Sequence, residues 1–210
     1  MNLFILFQLW SYKSELKLVV TAFLILLALP VIAVFILINA GIDVVSDKLA
    51  TSDPITNTVT IHDPDGDASK DKEITKKMEW PVHGVVTLEF GVSHLPYEVL
   101  HSGIDIANPY GKVGDPITPF MDGEVTYAGQ IWWGFGKHII IDHGNNITSL
   151  YGHLDKIFVV KGQKVTIPQV IGKEGQTGWA TGPHLHFGIY VYGIPANPHT
   201  FLGSRDPPLQ

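Results

Sequence analysis

The sequence contains no cysteine. That absence excludes disulfides, thiolate metal sites and a cysteine nucleophile, and it leaves histidine and carboxylate as the side chains able to hold a metal. Charge is also scarce: only 16% of residues are charged, with a net −6. No basic stripe is available to follow a phosphate backbone, which argues against nucleic acid as a partner. From Trp80 to Gln210 there is no sustained helical periodicity, and the chain has no internal repeat. Its 210 residues suffice for one domain of ordinary size plus an appendage.

A long apolar run is present. "LVVTAFLILLALPVIAVFILI", residues 18–38, carries no charge. At ~1.5 Å per residue it reaches roughly 30 Å, the thickness of a bilayer's hydrocarbon core, and predicts a transmembrane helix kinked at Pro30. A signal peptide cut after Ala40 is the rival reading. The run exceeds the ~7–15 residues of a signal core, however, and Ile38 is large for the position two before such a cut. Lys13 and Lys17 precede the run, while Asp43, Asp47 and Lys48 follow it. This bias favours a single pass in the cytoplasmic membrane, with the N-terminus inside and the remainder extracytoplasmic. Residues 1–17 then form a short cytoplasmic or interfacial segment.

Residues 39–78 turn polar and read as a solvated tether. Within them Asp63, Asp65 and Asp67 resemble the start of a calcium loop. Ala68 occupies the position where that loop requires glycine, and Glu73 falls one residue early, which speaks against calcium. From residue 79 to 204 short apolar or alternating runs recur between turn residues: "VVTLEFGV", "GEVTYAG", "KHIIIDHG", "ITSLYGHL", "KIFVVKG" and "HLHFGIYVYG". They predict a mainly β domain, an antiparallel two-sheet sandwich or barrel, followed by a tail at 205–210. "IDHGNNIT" reads as a hairpin turning at Gly-Asn-Asn.

Strand alternation sorts the histidines. Leu185, Phe187, Ile189 and Val191 share one face, and His184, His186, Gly188, Tyr190 and Tyr192 the other. In "ITSLYGHL" the same alternation groups Ser149, Tyr151 and His153 opposite Leu150 and Leu154. His101 and Asp105 in "HSGIDIA" have an even spacing that puts both on one side of a strand. A bare H-x-H is more often polar decoration than a metal pair. Three separate histidine sites and an aspartate within one small domain shift the balance, because zinc commonly takes nitrogen and oxygen ligands from separate elements.

These segments together resemble a known family. "HSGIDIA", "DGEVTYAG", "IIIDHG", "LYGHL" and "GQTGWATGPHLHFGIY", in that order, are similar to the lysostaphin/LytM-type zinc metallopeptidases, which cut peptide bonds in bacterial peptidoglycan. The likeness runs from about Trp80 to Leu202. It implies antiparallel sheets forming a narrow groove with Zn2+ on its floor, held by His101, Asp105 and His186. His153 and His184 are implied as the catalytic pair, without a division into general base and oxyanion partner. Tyr97, four residues before His101, is a weaker candidate for contacting substrate. Two departures bear on substrate preference: no arginine follows Phe90-Gly91, and Gly188 stands where the family often has an acid.

The remaining histidines have blander readings. His143 matches a family position but is read as structural, and His62, His83, His94, His138 and His199 as surface or loop residues. Trp132, Trp133 and Trp179 sit in glycine-rich stretches that suit either groove walls or simple packing. The resulting expectation is a membrane-anchored zinc endopeptidase acting on peptidoglycan peptide, with protein partners unassigned. The alternative is a zinc-holding, non-hydrolytic wall-binding or regulatory domain of an envelope complex for division, secretion or conjugation.

Overall fold

The computed structural model describes residues 17–30, 41, 44–53, 55–56, 58–75, 77–92 and 101–203. It divides into two units, Met1–Gly41 and Ile42–Gln210. In the first, residues 17–30 are helical with every side chain exposed. The rest of the expected membrane span, residues 31–38, lies outside the described residues, as do residues 1–16 and the tail. Among the described residues no helix is long and apolar enough to cross a membrane.

The second unit begins well before residue 79, and this corrects the solvated tether. Strands β1 (Ala50–Asp53), β2 (Thr58–Ile61) and β3 (Lys72–Ile74) form a three-stranded antiparallel sheet. Val59, Ile61 and Ile74 are buried, and Leu49 and Ala50 join the same core. The cause is a period-two pattern hidden in polar composition: each such aliphatic side chain contributes about 1.5–3 kcal/mol on burial, enough to order a short segment. His62 braces this sheet, with Nδ1 2.7 Å from Asp71 Oδ2 and Nε2 2.8 Å from Thr51 Oγ1. The acids that resembled a calcium loop serve the backbone instead. Asp63 Oδ1 accepts from Asp65 N, and Asp67 Oδ1 accepts from Ser69 N to cap a short 3-10 turn.

The fold is otherwise antiparallel β, in agreement with the strand reading. The main sheet contains eight strands: β4 (Val85–Leu88), β5 (Ile104–Ala107), β7 (Gly123–Gln130), β8 (Lys137–Gly144), β9 (Ile147–Gly152), β11 (Lys164–Val165), β13 (Leu185–Val191) and β14 (Ile194–Ala196). Its order is β11-β7-β8-β9-β13-β5-β4, with β14 pairing the far half of β13. A second small sheet, β10-β12-β6, comprises β6 (Pro116–Ile117), β10 (Lys156–Ile157) and β12 (Gly172–Lys173). β8 and β9 meet at Asn145 and Asn146, both with positive φ, as a tight hairpin turn demands.

One face of the main sheet is core. Leu185, Phe187, Ile189 and Val191 are fully buried, and register aligns Phe187 with Ile104 and Tyr151. Here the alternation proposed for "ITSLYGHL" fails. Ser149 and Tyr151 face this core, where the Tyr151 hydroxyl accepts from Phe120 N at 2.9 Å and lies 3.0 Å from Ser149 Oγ. His143 joins that network, with Nε2 2.7 Å from Ser149 Oγ and Nδ1 donating to Asp122 O at 3.0 Å. It is a structural residue, as read.

Glu174 is wholly buried, and the backbone of Asn108 gives its carboxylate only a weak contact to offset that burial. Burial, reinforced by the nearby Asp115, pushes its carboxyl up to about 7. The folded state therefore holds a proton between about pH 4.5 and 7 that the unfolded chain releases, so stability falls as pH rises through this window. Glu174→Gln is expected to flatten that slope and to gain about 1–3 kcal/mol at pH 8 relative to the parent, read by urea melts across pH. A parental slope in the variant would reject the assignment.

Candidate active site

His186 is the second residue of β13 and faces away from the core. Register sets it beside Asp105 of β5 on one side and Gly152 of β9 on the other. His101 comes from the turn before β5, which crosses β13 closely: a Cβ on Gly103 would lie 2.3 Å from the Phe187 carbonyl oxygen. Only glycine permits that approach, and it brings His101 over His186. His101 Nε2, Asp105 Oδ1 and His186 Nδ1 are then mutually 3.0 Å apart.

The donor set fits a metal. In the neutral ring His101 Nδ1 donates to the Glu89 carbonyl at 2.9 Å, so its Nε2 presents a lone pair to a carboxylate. Two acceptors aimed at each other repel unless a proton or cation lies between them. Donors bound to a tetrahedral metal at about 2.0–2.1 Å are roughly 3.3–3.4 Å apart, so the observed triangle need open by only a few tenths of an ångström. Burial opposes ionisation of Asp105, but the imidazoles of His101 and His186 beside it outweigh burial and hold the carboxyl well below the usual range. Burial likewise lowers His186, against the pull of Asp105. An anionic carboxylate and neutral imidazoles are the ligand states a metal requires. Among the described residues this is where histidine and acid donors converge.

His153 and His184 stand beside the triad with ring centroids 4.7 Å apart. His153 follows β9 with φ +61, and this left-handed residue breaks the strand's alternation. Its ring thereby turns from the core face, where strict alternation would send it, to within 6.0 Å of the His186 ring. Each Nδ1 donates to a backbone carbonyl, His153 to Thr177 at 2.7 Å and His184 to Gly182 at 2.9 Å. The tautomer follows from these bonds: in each neutral ring Nε2 carries the lone pair. His184 Nε2 lies 3.5 Å from Asp105 Oδ2. Burial, then the neighbouring His184 and His186, press His153 down to about 4.

The structure thus brings together His101, Asp105, His153, His184 and His186, while Tyr97 lies outside the described residues. Sequence reading missed the parts that hold them. The carbonyls of Glu89, Thr177 and Gly182 have no one-letter signature. Phe135 packs on His186 at 5.0 Å between ring centroids. His199, read as a surface or loop residue, lies 3.0 Å through Nε2 from the Glu89 carboxylate and packs edge-on against Trp80. Its Nδ1 donates to Gly203 O at 2.8 Å, so its contact with the exposed Glu89 carboxylate is a hydrogen bond when the ring is protonated. His138 is likewise no loop residue: it is buried in β8 and stacks on Tyr127 at 4.5 Å.

The model of peptidase family M23 matches residues 99–198. Peptidoglycan DD-endopeptidase ShyA of Vibrio cholerae is 43% identical over 97 residues, which is 46% of this chain and 22% of that protein. Murein hydrolase activator NlpD of Salmonella typhimurium is 35% identical over 153 residues, 72% of this chain and 38% of that protein. The crystal structure of a zinc-containing peptidase from Vibrio cholerae matches with a TM-score of 0.55 at 29% identity, over 72% of this chain and 47% of that one. The chain spans less than two fifths of the length of these two curated relatives.

The burial of His153 has a measurable consequence. Its folded pKa lies below the unfolded value of 6.5, so the metal-free protein loses stability as pH falls from about 6.5 toward 4. An NMR titration of the imidazoles in the metal-free chain should give His153 a midpoint near 4, with Nδ1 protonated throughout. A midpoint at the ordinary value would contradict the burial of this ring beside His184 and His186.

Proposed function

We propose that this chain, which carries a peptidase family M23 domain, is a zinc metalloendopeptidase hydrolysing peptide bonds in the stem peptides or cross-bridges of bacterial peptidoglycan. The observation that carries this reading is the convergence of His101, Asp105 and His186 at mutual 3.0 Å, with two Nε2-presenting histidines alongside. Three protein donors leave an open fourth position, as a catalytic rather than a structural site requires. Zinc held there supplies a Lewis acid that lowers the pKa of water and polarises the scissile carbonyl.

The residues around it do the rest. His153 and His184 present unprotonated Nε2 atoms, so either accepts a proton from the attacking water. The other, once protonated, donates to the carbonyl oxygen or to the departing amine. The carbonyls of Thr177 and Gly182 keep both rings oriented through that cycle, since each remains bonded to Nδ1–H whatever the state of Nε2. Substrate specificity within peptidoglycan is left to the groove walls.

The relationship to a hydrolase activator favours a second reading, a wall-associated regulator that does not cut. The presence of all five site residues supports the hydrolytic one. We also propose that residues 18–38 anchor the chain as a single pass in the cytoplasmic membrane, N-terminus inside and the peptidase domain extracytoplasmic. The uncharged 21-letter run and the helical, exposed residues 17–30 support that reading.

Purified peptidoglycan incubated with the zinc-loaded full chain should release muropeptides with newly cut peptides, and a chelator should abolish the release. His186→Ala is expected to lose bound zinc and activity together. His184→Ala should keep its zinc and lose about 100-fold or more in rate. Normal zinc content in His186→Ala would sink the ligand assignment, whereas zinc-replete chain that cuts nothing but stimulates a murein hydrolase would establish the regulator.

A further inference from the structure

The two loops that hold His153 also carry three exposed indoles: Trp132 at 84%, Trp133 at 60% and Trp179 at 53% of full exposure. So much aromatic surface in one place marks an interaction site more often than idle decoration. The loops are also stiff. Trp179 N donates to Gly134 O at 2.9 Å, Ile131 N to Gly136 O at 3.0 Å, and Lys137 N to Thr177 Oγ1 at 2.9 Å. Gly136 and Gly178, both with positive φ, interlock so tightly that a Cβ on Gly178 would lie 2.2 Å from Gly134 O. The indoles therefore sit on a fixed frame, which leaves little loop ordering to oppose binding.

That frame is bonded to the catalytic machinery. His153 N donates to Phe135 O at 2.8 Å, and His153 Nδ1 to Thr177 O at 2.7 Å. Whatever rests on the indoles is thereby held at a set distance from the reacting bond. Gln130 and Lys137, which flank the first loop, line an adjoining open cleft of about 440 Å3 together with Lys156 and Phe158. Flat aromatic faces beside amide and ammonium donors match a pyranose, whose C–H face stacks on an indole while its equatorial substituents hydrogen-bond at the edge. Lys137 at the edge of that cleft is pinned, its Nζ donating to Asp155 O at 2.7 Å, which suits a shaped polar ligand more than a fluid lipid surface.

We propose that Trp132, Trp133 and Trp179 form a saccharide platform that stacks on the N-acetylated sugars of the glycan strand bearing the cleaved peptide, the cleft taking the acetamido and carboxylate substituents. This rests on the reading of peptidoglycan as substrate, and it adds a glycan subsite to the peptide groove.

Calorimetric titration of the chelator-treated full chain with peptide-free glycan strands tests it without turnover. The parent should bind. The double variant Trp132→Ala/Trp133→Ala should bind roughly tenfold more weakly or worse, and Trp132→Phe/Trp133→Phe should recover part of the loss. Parental zinc uptake by both variants reports an intact frame. Absence of binding by the parent, or equal affinity in the alanine variant, would overturn the platform. Vesicles of anionic phospholipid that bind the parent and not the alanine variant, with no response to glycan, would overturn it in favour of a membrane contact. Failure of the zinc-loaded chain to cut peptidoglycan would refute the proposed activity while leaving the glycan titration readable.

Discussion

The site depends on how closely three backbones approach at His186. β5, β13 and β9 lie side by side there, and the turn before β5 crosses β13 at a distance only glycine allows. A Cβ on Gly103 would drive that turn off the Phe187 carbonyl and carry His101 away from its partners. On the opposite side, Gly152 leaves room for the His186 ring and for Phe135 above it: a Cβ there would lie 3.3 Å from His186 Cβ and 3.4 Å from the Phe135 ring. A metal cradle built from two imidazoles and a carboxylate within one sheet is thus set by register and by two absent side chains, before any ion contributes.

Orientation is a separate problem, and the backbone solves it. Three of the four site histidines donate Nδ1–H to a carbonyl, at Glu89, Thr177 and Gly182. A carbonyl can only accept, so each such bond fixes which nitrogen faces the centre. The fourth, His186, faces the centre through Nδ1 itself, because its position inside β13 presents that edge to Asp105. Its ring is kept in place by the flanking Phe135 and His101 rings instead. His101, proposed as a ligand, and His153 and His184, proposed as proton carriers, therefore share one construction, and the roles proposed for them follow from their positions relative to Asp105.

What could be read in advance tracks how regular the backbone is. Alternation sorted "LHFGIYV" correctly because β13 is a long, unbroken strand, with its odd residues in the core and His186 opposite. The same rule misassigned Ser149 and Tyr151. Their polar groups are satisfied within the core by His143 and the Phe120 amide, a solution invisible to a rule that sends polar residues outward. His153 was grouped with them, and it reaches the site only because its positive φ abandons the strand. The stretch read as a tether concealed Val59, Ile61 and Ile74, which are too few to outweigh the surrounding acids and threonines in composition yet spaced to bury together. The carbonyls of Glu89 and Thr177 and the contact of His199 with Glu89 join residues distant in sequence, which no local pattern records.

The relatives differ in described role, one an endopeptidase and one a hydrolase activator, while each is similar to this chain over part of its length. Such similarity cannot distinguish the two roles, so the distinction falls to the site. Here the sheet buries a carboxylate and two imidazoles whose facing acceptors call for a proton or cation between them, which a domain with nothing to bind does not require. A structural domain under no catalytic demand would gain by replacing such a cluster with well-packed apolar side chains. The left-handed His153 adds to that cost, since a non-glycine residue at positive φ is tolerated where the surroundings compel it. Both features are explained together if the site must bind a cation and move a proton, and neither is needed for the sheet to form.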